Sequence, residues 1–371
     1  MNNDELENLP DDQRVDRLAG LRNFLTAEPT KPRNLTLDQY LALTIPERAA
    51  YDEERIDYLG TDVIIPTPHL KAAKDTMRAL RLTNRGKKWG RSGMLLSGRA
   101  RLGKTSTALH IAKYVYDDYG LKHPDHLTNG DIPVVFVNIP SSPNGRSMVK
   151  QCANFYGIPY GKSDTLDFLK GEILPLLNNH NTQLVIFDEI HNLSKKRLGD
   201  LDTIALLKEF SNSSNATFVY AGINIHKGGL LSGEEGEQIA GRFRARVLTN
   251  YGYGNPAQRA VWRGLVRGLA SELRLLGDSP EEIAKHSLYL HQRTRGAIGP
   301  LSQLLFTAAQ LTIAGGEQSG NEQLTLEMLD SIQLDLLTEQ ATGGYRHGEN
   351  FDVAVDDLAG VEDEMENDYA A

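Results

Sequence analysis

Residues 93–120 read "GMLLSGRARLGKTSTALHIAKYVYDDYG", and no other stretch limits the fold as tightly. An apolar run suited to a buried strand, 93–97, leads into Gly98-Arg99-Ala100-Arg101-Leu102-Gly103-Lys104-Thr105, and a helical pattern opens at Lys104. This is the G-x-x-x-x-G-K-[ST] loop in strand-loop-helix order, a context that a simple glycine turn does not share. The glycines let the chain curl so that successive N–H groups point inward at phosphate oxygens, and the helix N-terminus adds a favourable dipole. Residues 98–105 with Ser106 are therefore expected to hold the phosphates of ATP. Lys104 would neutralise β- and γ-phosphate charge, and the Thr105 hydroxyl would ligate Mg²⁺.

A second motif supplies what hydrolysis needs. In "LVIFDEIHNL", four apolar residues carry a buried strand to Asp188 and Glu189. Asp188 is expected to hold Mg²⁺ through water, and Glu189 to polarise the attacking water. The strand "VVFVNI" (134–139) lies between the two motifs in the sequence, an order that fits the additional-strand class of ATPases rather than the GTPase class. The next strand, "TFVYA" (217–221), ends in Gly222-Ile223-Asn224, which makes Asn224 the candidate sensor of γ-phosphate or water. Arg242 precedes the last strand, "RVLTN" (246–250), and is the candidate arginine delivered in trans to a neighbouring subunit; Arg244 and Arg246 compete for that role.

Short apolar runs alternating with helical stretches over residues 61–254 predict a parallel sheet wrapped by helices. Beyond 255 the pattern is helical only, "AQRAVWRGLVRGLASELRLLG" first, which predicts a lid over 255–340. Residues 1–60 are polar and helical, an N-terminal arm expected to pack on its neighbour; 341–371 form an acidic tail expected to be disordered. The formal net charge of -9 is unevenly placed, with six acids in residues 1–20 and nine in 341–371. Residues 21–340 hold 37 bases against 34 acids, so the whole-chain charge does not exclude a nucleic-acid partner. No apolar run reaches a membrane-spanning length, and the acidic start lacks the order of a secretory signal, so a cytoplasmic protein with no membrane partner is expected. The single cysteine, Cys152, excludes an intrachain disulfide and reads as a small buried hydrophobe.

On "DVIIPTPHL", "GRARLGKT", "LVIFDEIHNL", "FVYAGIN", "GRFRARVL" and "GAIGPLSQLLFTAAQLTIAGG", the chain resembles the TniB/TnsC family of AAA+ transposition ATPases over roughly residues 50–335. These are relatives of the phage Mu target-selection ATPase. The resemblance implies an α/β AAA+ P-loop ATPase with a five-stranded parallel sheet and a small all-helical lid. It also implies a homo-oligomer, ring or helical filament, that assembles with ATP on double-stranded DNA. Recruitment of a DDE-type transposase, disassembly on hydrolysis, and a place for Ile64 to Pro68 near the adenine follow from the same resemblance. One departure stands out: many such lids carry a G-x-x-R arginine, whereas Gly296-Ala297-Ile298 is followed by Gly299, leaving Arg293 or Arg295 as substitutes.

Two basic clusters are candidates for DNA contact. One is "RALRLTNRGKKWGR" (78–91), with six bases, no acid and Trp89; the other is Lys195-Lys196-Arg197. Phosphate contacts from such clusters give sequence-independent, salt-sensitive affinity. The alternatives are a nucleotide-dependent signalling or defence switch acting on a protein, and a replication-initiator-like loader.

Overall fold

The computed structural model describes residues 9–28, 30–61, 63–140, 145–193, 200–227, 233–315 and 322–348. In chain order the elements begin with α1 (Leu18–Thr26), α2 (Leu37–Leu41), α3 (Ile45–Gly60), α4 (Pro68–Asn84) and β1 (Gly93–Gly98). They continue through α5 (Lys104–Lys122), β2 (Val134–Asn138), α6 (Gly145–Tyr156), α7 (Leu166–Asn179), β3 (Leu184–Asp188), α8 (Asp200–Ser213), β4 (Thr217–Ile223), α9 (Gly233–Ala240) and β5 (Phe243–Leu248). The remainder is helical: α10 (Pro256–Ala270), α11 (Pro280–Lys285), α12 (Ser287–Thr294), α13 (Ile298–Gly315), α14 (Leu326–Ser331) and α15 (Leu336–Thr342). The chain forms two compact units, residues 1–27 with 68–248, and residues 28–67 with 249–371.

In the first unit the five strands are parallel in the order β2-β3-β4-β1-β5. Strands β1 and β3 are buried along their whole length, as sheets covered by helices on both faces require. The strand between the phosphate-loop strand and the acidic strand is β4, whereas β2, which lies between them in the sequence, is at the sheet edge. Strand order is set by tertiary packing and not by sequence order. β5 also differs from the expected 246–250. It starts at Phe243, whose ring stacks on Tyr220 at 4.6 Å, and pairs from Gly93↔Phe243 to Gly98↔Leu248. A Cβ on Gly93 would lie 2.3 Å from the Phe243 ring, so glycine is required for that close approach. Cys152 is buried in α6, and burial pushes its thiol up to about 12, an inert side chain.

The second unit is discontinuous in sequence, because residues 28–67 cluster with the C-terminal helices rather than forming an arm with residues 1–27. Helix α3 starts at a capping box in which the Thr44 backbone N–H donates to Glu47 at 2.8 Å, with proline in the first turn. Its Arg55 is fully buried, donates to Glu322 at 2.6 and 2.7 Å and to Asp52 at 2.6 Å, and lies 4.8 Å from the Tyr51 ring. A buried guanidinium needs such partners, since stripping one away leaves an uncompensated charge. Around it, Tyr58, Trp262, Leu265, Leu290, Leu304 and Leu305 belong to one apolar core. Several long helical patterns are broken here. The 257–277 stretch stops at Ala270, and Arg274 takes φ 57; the 280–294 stretch breaks at His286.

Gly296 holds a tight turn at φ 69, and a Cβ there would sit 2.1 Å from the Tyr251 carbonyl oxygen. That carbonyl also faces His291 Nε2 at 2.7 Å, and Tyr251 N–H donates to Gly296 O at 2.9 Å. Gly296→Ala is expected to destabilise this unit by about 3 kcal/mol or more, the left-handed backbone and the overpacking each costing about 1–3. Urea denaturation checks it, and an unchanged midpoint would contradict the turn's role. Among the described residues no single helix is long and apolar enough to cross a membrane.

Candidate functional site

The register brings three strand ends together. Gly98 pairs with Ile223 and Phe187 with Tyr220, so the C-terminal ends of β1, β4 and β3 lie side by side. Ligands in open parallel sheets bind at this end. Gly98 closes β1, where an added Cβ would meet Leu248 O at 2.6 Å. Arg99, Ala100 and Arg101 are exposed, Leu102 is buried beneath them, and Arg101 takes φ 64. Gly103 caps α5 in the left-handed conformation (φ 77), makes no side-chain cap bond to the first-turn N–H groups, and the first turn carries no acid. Thr105 and Ser106 are exposed at that terminus. A helix start without a side-chain cap leaves N–H groups that suit an anion.

Lys104 is 6% exposed and donates to the loop's own Arg99 carbonyl at 2.8 Å. Burial holds its pKa below the ordinary lysine value, partly offset by Glu189 and Asp188. Thr105 Oγ1 donates to Asp188 Oδ2 at 2.7 Å, and the Glu189 backbone N–H donates to Asp188 Oδ1 at 2.8 Å. A hydroxyl and a carboxylate at contact distance form an oxygen donor pair suited to Mg²⁺, which keeps water and phosphate as its other ligands. Among the described residues there is no cluster of three or more His, Cys, Asp or Glu able to hold a metal.

Glu189 follows β3 at φ 55 and ψ 30, and burial together with Asp188 raises its carboxyl above the usual glutamate range. Asn224 follows β4 at φ 47, exposed, its N–H donating to Gly98 O at 3.2 Å. Left-handed backbone at Arg101, Glu189 and Asn224 concentrates strain on the three loops that meet here. The sequence motifs missed His191, whose Nδ1 is 3.1 Å from Glu189 Oε2. They also missed His226, whose Nδ1 faces the buried Ser97 hydroxyl at 2.5 Å.

Arg242 lies at the other end of the sheet. It immediately precedes Phe243, the partner of Gly93, so about five residues of strand, roughly 17 Å, separate it from Gly98 along the sheet. Its Nη1 donates to Asn212 Oδ1 at 3.2 Å. Arg244 and Arg246 alternate with it along β5, and Arg246 Nε donates to Thr76 Oγ1 at 2.5 Å. In the second unit, Arg293 is fully buried and donates to Glu339 at 2.6 Å and to Ile332 O at 3.0 Å, while Arg295 donates to Ala341 O at 2.8 Å.

The family model described as bacterial TniB protein matches residues 55–253, more than half of the chain. The chain belongs to the TniB family. Among curated proteins, no sequence matches it. Among solved structures, the Aeropyrum pernix ORC2 protein in ADPNP–ADP complexes is similar at 17% identity and TM-score 0.50, over 75% of this chain and 74% of that one. The Aeropyrum pernix ORC1 protein in complex with DNA is similar at 17% identity and TM-score 0.52, over 74% and 66%. The ADP form of the ORC2 protein gives 16% identity and TM-score 0.52, over 75% and 74%. At these identities the likeness is one of fold. This TniB family member thus has the AAA+ P-loop ATPase fold, with the glycine loop, acidic pair and Asn224 at the strand ends of its sheet unit.

Proposed function

We propose that this chain is an ATP-hydrolysing TniB-type assembly factor that oligomerises on double-stranded DNA and recruits a DDE-type transposase to it. The observation that carries the reading is the meeting of the glycine loop, Asp188, Glu189 and Asn224 at three adjacent strand ends in a member of the TniB family. The uncapped start of α5 and Lys104 would hold the ATP phosphates, and Thr105 and Asp188 would hold Mg²⁺. The metal would supply charge neutralisation between phosphate oxygens. Glu189 accepts the proton of the attacking water, and Asn224 orients that water or the γ-phosphate. Arg242 lies too far along its own sheet to reach its own loop, which supports its delivery to a neighbouring copy.

Of the basic stretch 78–91, Arg81 is paired with Asp118 at 2.7 Å and Arg91 is tied to backbone carbonyls and Asn215. Arg78, Arg85 and Lys88 are exposed, and Trp89 is 78% exposed beside them. These are the groups best placed for duplex phosphates; Lys195-Lys196-Arg197 lie outside the described residues.

The test is binding to a labelled random-sequence duplex with no nucleotide, with ADP, and with a slowly hydrolysed ATP analogue, across a salt series. Tight, steeply salt-dependent binding is expected only with the analogue. The double variant Arg85→Ala/Lys88→Ala is expected to reduce the log–log salt slope by about 2. ATP binding without DNA binding would favour a switch that acts on a protein.

A further inference from the structure

We infer that His191 is a positioning residue for hydrolysis, its Nδ1 holding the Glu189 carboxylate in one tautomer and the end of β4 in the other. The inference rests on the reading of Glu189 as the group that activates water. It begins with the backbone. Glu189 in the left-handed region turns the chain into a 3-10 turn, Ile190–Asn192, so that residue 191 folds back beside residue 189. Three bonds pin the turn: Asn192 N–H to Glu189 O at 2.9 Å, Leu193 N–H to Ile190 O at 3.0 Å, and Asn192 Nδ2 to Ile139 O at 2.9 Å. His191 therefore has a fixed base.

Its Nδ1 lies 3.1 Å from Glu189 Oε2 and 3.3 Å from the Ile223 backbone nitrogen. One ring nitrogen makes one in-plane hydrogen bond, so Nδ1 serves these neighbours alternately. As Nδ1–H it donates to the carboxylate; in the other tautomer it accepts from Ile223. Ile223 immediately precedes Asn224, so a single imidazole touches both the water-activating carboxylate and the backbone that leads to the sensor. Space for the ring comes from Gly222, where a Cβ would stand 3.1 Å from His191 N and 3.3 Å from Nδ1. His191 lies within hydrogen-bonding distance of Glu189 and β4 and feels Lys104 of the glycine loop through its charge, so its direct route to the reaction is through Glu189.

The experiment compares steady-state ATP hydrolysis, binding of a fluorescent ATP analogue and thermal midpoint for the full chain and for His191→Ala, His191→Asn and Glu189→Gln. His191→Ala is expected to lower kcat by up to about 100-fold, the cost of a misplaced catalytic group, with analogue affinity within about twofold of the parent. His191→Asn keeps an amide that can donate or accept near the Nδ1 position and is expected to recover most of kcat. A parental kcat in His191→Ala, with Glu189→Gln inactive, would overturn the His191 inference alone. Equal losses of kcat, affinity and thermal midpoint in the Ala and Asn variants would show a packing role and overturn it too. Parental hydrolysis by Glu189→Gln would instead remove the reading of Glu189, and the positioning role with it.

Discussion

Replacing Glu189 by glutamine is expected to leave a protein that binds ATP with parental affinity but hydrolyses it about 10²- to 10⁴-fold more slowly, the usual contribution of a positioned general base. Glutamine keeps the volume of the side chain and removes its basicity. The raised pKa of Glu189, caused by burial first and Asp188 second, makes the carboxylate a better proton acceptor than an exposed glutamate. Losing the charge also relieves its repulsion with Asp188, so the substitution is not expected to weaken the fold. Single-turnover hydrolysis alongside equilibrium nucleotide binding separates the outcomes. A variant that loses ATP binding would mean that residue 189 holds nucleotide rather than water. A parental rate would remove it from the chemistry.

The parts of this site that the sequence displays are those made by neighbours in the chain. The run from Gly93 to Lys122 is a strand, a loop and a helix in immediate succession, so its glycines, lysine and threonine can be read without knowing the sheet. Asp188 and Glu189 are similarly legible, because four buried apolar residues precede them. What the pattern cannot express is order in space. The insertion of β4 between β1 and β3, which aligns Asn224 with Gly98, depends on which edges pair after the helices cross over. The same holds for α3, whose Arg55 meets Glu322 across 267 positions. Polar helical residues near the N-terminus gave no local sign that they close an apolar core built after residue 249. His191 was missed for a subtler reason: two residues beyond Glu189 in an extended strand it would share that face but stand about 7 Å further along, and only the left-handed turn at Glu189 folds the ring back beside the carboxylate.

Lys104→Ala is expected to weaken ATP binding by about 2–5 kcal/mol, the range for truncating one partner of a buried, hydrogen-bonded charge pair. That corresponds to roughly 30- to 4,000-fold in affinity. The ammonium is buried at the start of α5 and donates to the neutral Arg99 carbonyl, so triphosphate oxygens would provide far stronger acceptors. Removing it also leaves Asp188 and Glu189 without the positive charge that offsets them, so the approaching phosphates meet two carboxylates and a weakened helix-end field. Isothermal titration with a slowly hydrolysed analogue measures the loss, and far-UV circular dichroism with a thermal midpoint checks that the sheet unit is intact. Set beside Glu189→Gln, the variant separates the two halves of the site. One should lose binding and with it any nucleotide-dependent assembly, while the other keeps binding and loses turnover. Parental affinity in Lys104→Ala would place the triphosphate elsewhere and leave the uncapped start of α5 as a helix end without a ligand.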